Sequence, residues 1–495
     1  MAFATARVQG PSPLTVVSGR IQSRPSALMA ANRPRPVPTD VGQTAAADQP
    51  SARLLPGRIA FIRDGDVYTL DLATGAERRL TADGVSAEPR WSASGHWLAF
   101  FKGRDVYNQG TIWVAAAGGG QSRRIADAQR YGQFAWSPAS DLLAYRTADG
   151  GLSIESADGS TKQLLAPAPG VDRYQGVQDL AWSPDGAWVA FDRFDPPRQP
   201  NLVPGMSIWR IRPDGSDQTE VFDTGNVLFW LRLDGWSPDG SQLLYFPHAT
   251  SASLTSDTAG LSAVPSVGGT PRDLVAPSLP AKSWMLAYRD FVSVDPSGTG
   301  RIAVVEGPGR EDYYGKTLHL LTPGEGGDAA LTGPEAVVSS PAWSPDGRYL
   351  AYVSMPALGR AVVNDDVPPA LLSRKLWLVD TTAQAASAPL TDEPNYRDEW
   401  PVWAPDGSAL LFVRVDASSS MSLWAIAAAG GVPREIVDRL SFAGPGVPGY
   451  YGHVEWGSLF DWWPGTKRSQ LGAALPALPH TGSGGLLPLA DEMRP

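Results

Sequence analysis

The sequence predicts an all-β fold: an eight-bladed β-propeller of four-stranded blades, with seven blades as the alternative. Three observations lead to this prediction. A five-residue motif, Trp-Ser-Pro-Asp-Gly at residues 182–186, recurs along the chain. A short apolar segment with the pattern of a buried strand follows most copies. Successive copies start 45 to 60 residues apart, which fits a propeller blade with insertions of variable length.

The motif is complete in some copies and degenerate in others. In chain order its copies begin at Trp91, Trp136, Trp182, Trp236, Val294, Trp343 and Trp403. The copies at 182, 236 and 343 are complete, and the copy at 403 has Ala in place of Ser. If the degenerate region around Val294 is an insertion, the ring has seven blades.

Each motif predicts a tight turn between two strands. Proline presets φ at the first corner of the turn, aspartate caps the turn through its own backbone, and glycine adopts a conformation that a side chain would forbid. A third strand follows, for example residues 376–379, and then a Gly-rich turn and a weak fourth strand. Four strands per period make one blade.

These repeats resemble the WD-like repeat of TolB-type β-propellers, which is also similar to the propeller of dipeptidyl-peptidase-like enzymes. The resemblance covers roughly residues 56–463. It implies a bacterial, extracytoplasmic protein. It says less about function, because one scaffold of this kind hosts many functions.

The chain is expected to have three parts. Residues 1–55 are rich in Pro, Ala and Ser and are predicted to be disordered, residues 56–463 form the propeller, and residues 464–495 form a flexible tail. The apolar stretch at residues 14–17 is too short for a signal peptide, so the compartment stays open. Residues 478–482 resemble a sortase sorting motif, but no membrane-length apolar stretch follows, which favours a remnant or a chance match.

The two ends of the propeller are predicted to share one blade. Residues 58–61 match the strand that follows the motif in other repeats, yet no Trp strand precedes them. We expect the missing strand at residues 453–456, near the other end of the chain. Such sharing ties the termini together and removes two open sheet edges.

Composition excludes several classes of function. A net charge of -10 and a pI near 5.1 argue against a nucleic-acid-binding protein, which needs a basic surface. The absence of cysteine excludes disulfides and Cys-ligated metals. No apolar run reaches the roughly 18 residues of a membrane span. We expect a monomer without a cofactor.

Connection lengths predict which face binds. The turns between first and second strands, and between third and fourth strands, are short. The connections between second and third strands and those between blades are long, and they meet on the opposite face. Insertions concentrated on one face are typical of a binding surface, although neutral loop growth is the alternative.

A rim of mixed chemistry is predicted at the channel mouth on that face. The positions three residues ahead of each motif are Glu88, Gln133, Asp179, Leu233, Phe291, Ser340, Trp400 and, for the closing blade, His453. Together with loop residues, they give a candidate ligand-binding set of Glu88, Gln133, Asp179, Tyr396, Asp398, Trp400 and His453. Aromatic rings interleaved with carboxylates suit a sugar or a peptide. The alternative is that the rings only pin the long loops to the propeller.

The sequence favours a non-enzymatic binding or scaffold propeller for a protein, peptide or glycan. It contains no nucleophile elbow, no zinc-protease motif and no phosphate-binding loop. The alternative is a carbohydrate-active, lyase-like enzyme with a metal or His site at the channel mouth. His248 and His453 are the histidines that fall on the long-loop face.

Overall fold

A computed structural model describes residues 55–103, 109–129, 134–165, 176–195, 205–225, 229–249, 260–275, 291–307, 311–322, 327–358, 367–383, 387–442 and 453–465. The chain divides into Met1–Ala52 and Arg53–Pro495, and every described residue lies in the second unit. The predicted disordered segment and tail lie almost wholly outside the described residues, as does the sorting-like motif.

The described strands form eight antiparallel sheets of four strands each, which confirms the predicted eight-bladed propeller. The first four blades are as follows. Blade 1 contains β1 (Arg58–Arg63), β2 (Asp66–Asp71), β3 (Ala76–Arg79) and the C-terminal strand β32 (Phe460–Trp463); blade 2 contains β4 (Ser86–Trp91), β5 (Trp97–Lys102), β6 (Gln109–Ala116) and β7 (Arg123–Gln129); blade 3 contains β8 (Phe134–Trp136), β9 (Leu142–Arg146), β10 (Leu152–Ser156) and β11 (Thr161–Leu165); blade 4 contains β12 (Gly176–Trp182), β13 (Val189–Phe194), β14 (Met206–Ile211) and β15 (Thr219–Asp223).

The other four blades complete the ring. Blade 5 contains β16 (Phe229–Trp236), β17 (Gln242–Ala249), β18 (Leu261–Pro265) and β19 (Arg272–Val275); blade 6 contains β20 (Val292–Val294), β21 (Ile302–Glu306), β22 (Thr317–Thr322) and β23 (Gly327–Ala330); blade 7 contains β24 (Ala336–Trp343), β25 (Tyr349–Pro356), β26 (Lys375–Asp380) and β27 (Ala388–Pro389); blade 8 contains β28 (Tyr396–Trp403), β29 (Ala409–Asp416), β30 (Met421–Ala427) and β31 (Arg434–Leu440). The described helices are α1 (Val367–Leu371) and a 3-10 helix, Trp456–Ser458.

The strand that carries the motif tryptophan or its equivalent, which is β32 in blade 1, lies innermost in each blade, since these strands contact one another across most of the blade junctions. Between the blades, buried apolar side chains form clusters that join each blade to the next. The core is therefore a ring of blade-to-blade interfaces around a central channel.

The shared blade is confirmed, but the closing strand was predicted in the wrong place. Strand β32, not residues 453–456, pairs antiparallel with β1, and Ile59 lies opposite Trp462. In blade 8 the motif tryptophan Trp403 lies opposite Leu410 in the same way. Trp462 therefore takes the position that we assigned to Trp456, which lies in the 3-10 helix instead. Both sequences end in Trp, and the Trp-based pattern selected the earlier one.

The motif tryptophans join neighbouring blades. The indole Nε1 of Trp343 donates a hydrogen bond to the carbonyl of Ser293 in blade 6 (3.0 Å), and Trp403 donates to Ala342 in blade 7 (2.9 Å). Trp136, Trp182 and Trp236 donate to the preceding blade in the same manner. Each ring is at least nine-tenths buried. The repeated Trp thus combines apolar burial with one directed bond.

The motif turn itself has the predicted chemistry. In the copy at 343, the amide of Gly347 donates to Ser344 O (2.9 Å), while the Asp346 carboxylate accepts from Ser344 Oγ (2.5 Å) and Arg348 N (3.1 Å). These bonds lower the pKa of Asp346. Gly347 has φ +70°, and a Cβ there would meet Asp295 at 2.3 Å, so only glycine fits.

Candidate binding face

The two faces of the propeller differ in their connections. The motif turns and the Gly-rich turns lie on one side, here called the short-turn face. The long-loop face carries the connections from second to third strands, which are long in blades 4 to 7 and tight in blades 1, 3 and 8. The long ones span residues 195–205, 250–260, 307–316 and 357–374, and the tight ones span 64–65, 147–151 and 417–420. Much of the long set lies outside the described residues. Insertion is concentrated on one half of this face.

The inner strands carry β-bulges at the predicted rim. Pairing with the second strand is interrupted in blades 2, 4, 5, 7 and 8. At three of these bulges a residue that is not glycine has positive φ: Glu88 (52°), Ser340 (50°) and Trp400 (54°). Such conformations are strained for side-chain-bearing residues and tend to cluster at sites with a role beyond the fold.

A buried ion pair lies at the rim between blades 4 and 5. Arg232 holds Asp179 in a bidentate pair, with Nε–Oδ2 at 3.0 Å and Nη2–Oδ1 at 3.2 Å. Next to it, Asp192 accepts hydrogen bonds from the amides of Asp179 (2.6 Å) and Leu233 (3.0 Å). Burial, with the neighbouring Asp179 carboxylate, raises the pKa of Asp192 to about 7.

A second buried group joins blades 6, 7 and 8. Arg374 contacts Glu399 (Nη1–Oε1, 2.9 Å) and Asp312 (Nη2–Oδ1, 2.6 Å), and all three side chains are almost fully buried. Arg397 lies 3.7 Å from the same Glu399 oxygen. Burial raises the pKa of Asp312 to about 6, although Arg374 opposes the shift. These charges compensate one another and fix three blades relative to each other.

A third group supports an exposed ring in blade 8. Arg414 forms a bidentate pair with Asp398 (2.7 and 3.0 Å) and contacts Glu393 (2.9 Å). Its guanidinium carbon lies 5.1 Å from the centroid of the Tyr396 ring. Among the described residues, Tyr396 is the one large apolar side chain that is exposed on this face, at 36%. The lysine Nζ of Lys375 donates to the Tyr396 carbonyl.

Residues 453–459, here called the mouth segment, lie against the rim. The imidazole of His453 packs edge-on against Phe291, with centroids 5.9 Å apart. Arg90 donates to the carbonyl of Gly457 (2.9 Å), and Gly457 lies against the Trp400 ring. Trp456 is 2% exposed.

The structure separates the predicted site residues. Glu88, Asp179 and Asp398 are buried, and the last two are paired with arginines. Trp400 is half-buried against the mouth segment, and His453 is packed on Phe291. Tyr396 alone of the described members is exposed, while Gln133 lies outside the described residues. Whether these residues bind a ligand stays a prediction.

Sequence reasoning missed the arginines that neutralise the rim. Arg232, Arg374 and Arg414 each lie at the long-loop end of a strand and are paired with a buried carboxylate. One sign was present, because Arg414 interrupts an otherwise apolar run in β29. A charge inside an apolar strand indicates a buried partner.

The described histidines and carboxylates show no metal-binding arrangement. Among the described residues no three His, Asp or Glu side chains come together in a group that could hold a metal ion. The side chain of His248 lies outside the described part. Asp64 pairs with Arg439, and Asp66 is buried against Arg79.

The blades and their rim define the protein as an eight-bladed β-propeller with a charge-compensated channel mouth. No protein-family model matches the chain. The uncharacterized protein Atu1656 of Agrobacterium fabrum (strain C58) is 29% identical over 145 residues, which cover 26% of this chain and 48% of that protein. The chain thus matches about half the length of this curated relative.

Several solved propellers are similar in structure. Dipeptidyl peptidase 4 of Porphyromonas gingivalis is 13% identical, with a TM-score of 0.52 over 78% of this chain and 60% of that chain. Oligogalacturonate lyase of Vibrio parahaemolyticus is 12% identical (TM-score 0.44; 77% and 96% covered), and TolB of Acinetobacter baumannii is 12% identical (TM-score 0.32; 76% and 62% covered). The predicted TolB-like propeller is confirmed as a fold, and these identities say nothing further about activity.

No helix in the described part of the chain is both long enough and apolar enough to cross a membrane.

Proposed function

We propose that the propeller is a binding or scaffold protein that engages a protein, peptide or glycan on its long-loop face, without catalysis. The observation that carries this proposal is Tyr396, an exposed ring held in place from below. Exposed aromatic side chains with fixed positions are typical anchors of binding surfaces.

The support under Tyr396 is rigid. Arg414, beneath the ring, is itself 2% exposed on its side chain and is locked by Asp398. The backbone of Tyr396 is held by Lys375. A ring that is ordered before binding loses little side-chain entropy when a ligand stacks on it, so more of the contact energy appears as affinity.

Polar groups border this ring. The Glu393 side chain is 35% exposed and accepts a hydrogen bond from Arg414, which leaves carboxylate lone pairs facing solvent. An aromatic face with a carboxylate at its edge suits a sugar ring with hydroxyl donors or a peptide with backbone N–H groups. This chemistry is shared by glycans and peptides.

The lyase alternative is not favoured. It needs a base together with a metal or a cationic clamp that is open to substrate. At the mouth, Arg232, Arg374 and Arg414 already hold carboxylates, Arg90 donates to the carbonyl of Gly457, and the imidazole of His453 is packed on Phe291.

The test is a screen on glycan and peptide arrays, followed by affinity measurements on variants. Tyr396→Ala removes the anchor and is expected to weaken binding roughly thirtyfold, or about 2 kcal/mol. Tyr396→Phe keeps the ring and should bind almost normally. Val432→Ala is the control, because Val432 is 86% exposed on the short-turn face.

Two results contradict the proposal. Loss of binding in Val432→Ala with normal binding in Tyr396→Ala reverses the assignment of the faces. Metal-dependent turnover of a polysaccharide by the wild-type chain replaces binding with the lyase alternative.

A further inference from the structure

We infer that the mouth segment, residues 453–459, seals the long-loop end of the channel, so that a ligand of this face lies across the mouth and does not enter the channel. The statement about the ligand rests on the proposed function. The seal itself rests on contacts within the chain.

The mouth segment spans opposite blades. His453 packs on Phe291 at the start of β20 in blade 6, while the carbonyl of Gly457 accepts the bond from Arg90 on β4 in blade 2. Blades 2 and 6 face each other across a ring of eight. Even if they were fully extended, residues 453–457 would span at most about 14 Å between their first and last Cα atoms, so no room is left for a detour around the channel. A chain that touches both inner strands therefore crosses the channel between them.

The segment is also packed against the blades between these contacts. Trp456 belongs to the apolar cluster of blades 8, 1 and 2, and Arg397 of β28 lies with its guanidinium carbon 5.7 Å from the indole centroid. A Cβ on Gly457 would stand 3.3 Å from the Trp400 ring. The segment therefore packs tightly on the blade 8 side, since a methyl group at this position would require the Trp400 ring to shift slightly.

The end of the segment is anchored to the closing blade. Leu459 is 1% exposed and its carbonyl accepts a hydrogen bond from Ile62 N (2.8 Å). Strand β32 begins at the next residue. The same stretch of chain thus closes the ring and closes the channel, because the route to blade 1 passes over the mouth.

This arrangement selects among ligands. A glycan or peptide that threads a propeller channel would have to displace Trp456, whose ring is almost fully buried. Displacing a buried tryptophan costs several kcal/mol, which is as large as many whole binding energies. A ligand that lies flat on Tyr396 and the outer surface of the mouth segment meets no such cost.

Cysteine labelling tests the seal, because the chain has no cysteine of its own. Ser340, at the bulge of β24 in blade 7, is 8% exposed. Blade 7 lies between blade 6, which the segment contacts through His453, and blade 8, which it contacts through Trp456 and Gly457. In Ser340→Cys we expect slow reaction with a bulky maleimide, and at least tenfold faster reaction when Trp456→Ala is added. Ser418→Cys, on the tight exposed connection of blade 8, is the control and should react fast in both backgrounds.

Arg90→Gln provides a second way to loosen the segment without a cavity, and it replaces Trp456→Ala if that variant does not fold. The inference is overturned if Ser340→Cys reacts as fast as Ser418→Cys while the segment is intact, or if loosening the segment leaves its rate unchanged. The labelling and affinity experiments fail independently. If labelling of Ser340→Cys shows the seal but Tyr396→Ala binds the ligand with normal affinity, only the proposed function is contradicted.

Discussion

At the scale of single residues, the motif tryptophans combine apolar burial with a hydrogen bond to the preceding blade. Trp343 is 6% exposed, packs with the cluster shared by blades 6 and 7, and donates its indole N–H to Ser293 O. Trp91 differs, since within the described structure its buried Nε1 has no acceptor. The position that would offer the acceptor belongs to blade 1, where the closing strand comes from the far end of the chain.

We expect Trp343→Ala to cost roughly 3–5 kcal/mol of unfolding free energy, because it leaves a large cavity and an unpaired Ser293 carbonyl. Urea unfolding measures the change. Val432→Ala, on an exposed Gly-rich turn, should shift stability by less than about 0.5 kcal/mol. Equal shifts in the two variants would show that the blade interfaces do not depend on these rings.

The buried carboxylate Asp192 predicts a pH dependence. It faces Asp179, Arg232 and, more distantly, Arg146. Because its pKa in the folded chain is raised to about 7, the folded state holds this proton more tightly than the unfolded state does. The contribution of protonated Asp192 to the free energy of unfolding is fully present below about pH 4 and is lost as the pH rises through about 7.

We therefore expect the melting temperature of the wild type, relative to Asp192→Asn, to rise as the pH is lowered from 8 to 5. Asp380→Asn is the control, because Thr382 and Arg348 lower the pKa of Asp380 to about 2. The difference in melting temperature between the wild type and Asp380→Asn should stay constant between pH 8 and pH 5. A flat or falling difference for Asp192 would contradict the assignment.

At the scale of elements, strand β32 controls closure. It supplies the inner strand of blade 1, and Phe460 and Trp462 enter the cluster that joins blades 8, 1 and 2. An exposed network reinforces the joint, in which Arg63 contacts Glu77 and Asp438. Without β32 the edge of β1 would be open for pairing with another chain.

A chain that ends at Phe442 is expected to aggregate or to melt far below the full-length protein, since it loses both β32 and the mouth segment. A chain that ends at Gly465 keeps both and should melt like the full-length protein. Differential scanning calorimetry with light scattering compares them. Normal melting of the shorter chain would refute closure by β32.

The repeat made most elements predictable, and its exceptions explain the errors. Turn chemistry located the strands because it acts within a few residues of sequence, and the recurrence of the motif every 45 to 60 residues gave the number of blades. The closing strand was misplaced because Trp456 and Trp462 fit the same local pattern, and only pairing with Ile59 distinguishes them. The rim pairs join residues of different strands, and some, such as Asp179 with Arg232, join different blades. The sequence around each carboxylate therefore did not identify its partner, and the charge of Arg414 inside the apolar run of β29 was the one sign that a rim carboxylate is neutralised.

At the scale of the whole molecule, the two faces of the propeller differ in construction. The short-turn face is built from repeated turns whose polar groups satisfy one another. The long-loop face carries the insertions, the strained bulges, the sealed mouth and the supported ring of Tyr396. This division is the basis for placing binding on the long-loop face.

Hydrogen exchange with the ligand identified by the array screen tests this placement most directly. We expect slower amide exchange on binding at the start of β28 and in the mouth segment, with no change in the motif turns at residues 183–188 and 344–348. Protection confined to those motif turns, with unchanged exchange at Tyr396 and residues 453–459, would contradict the account.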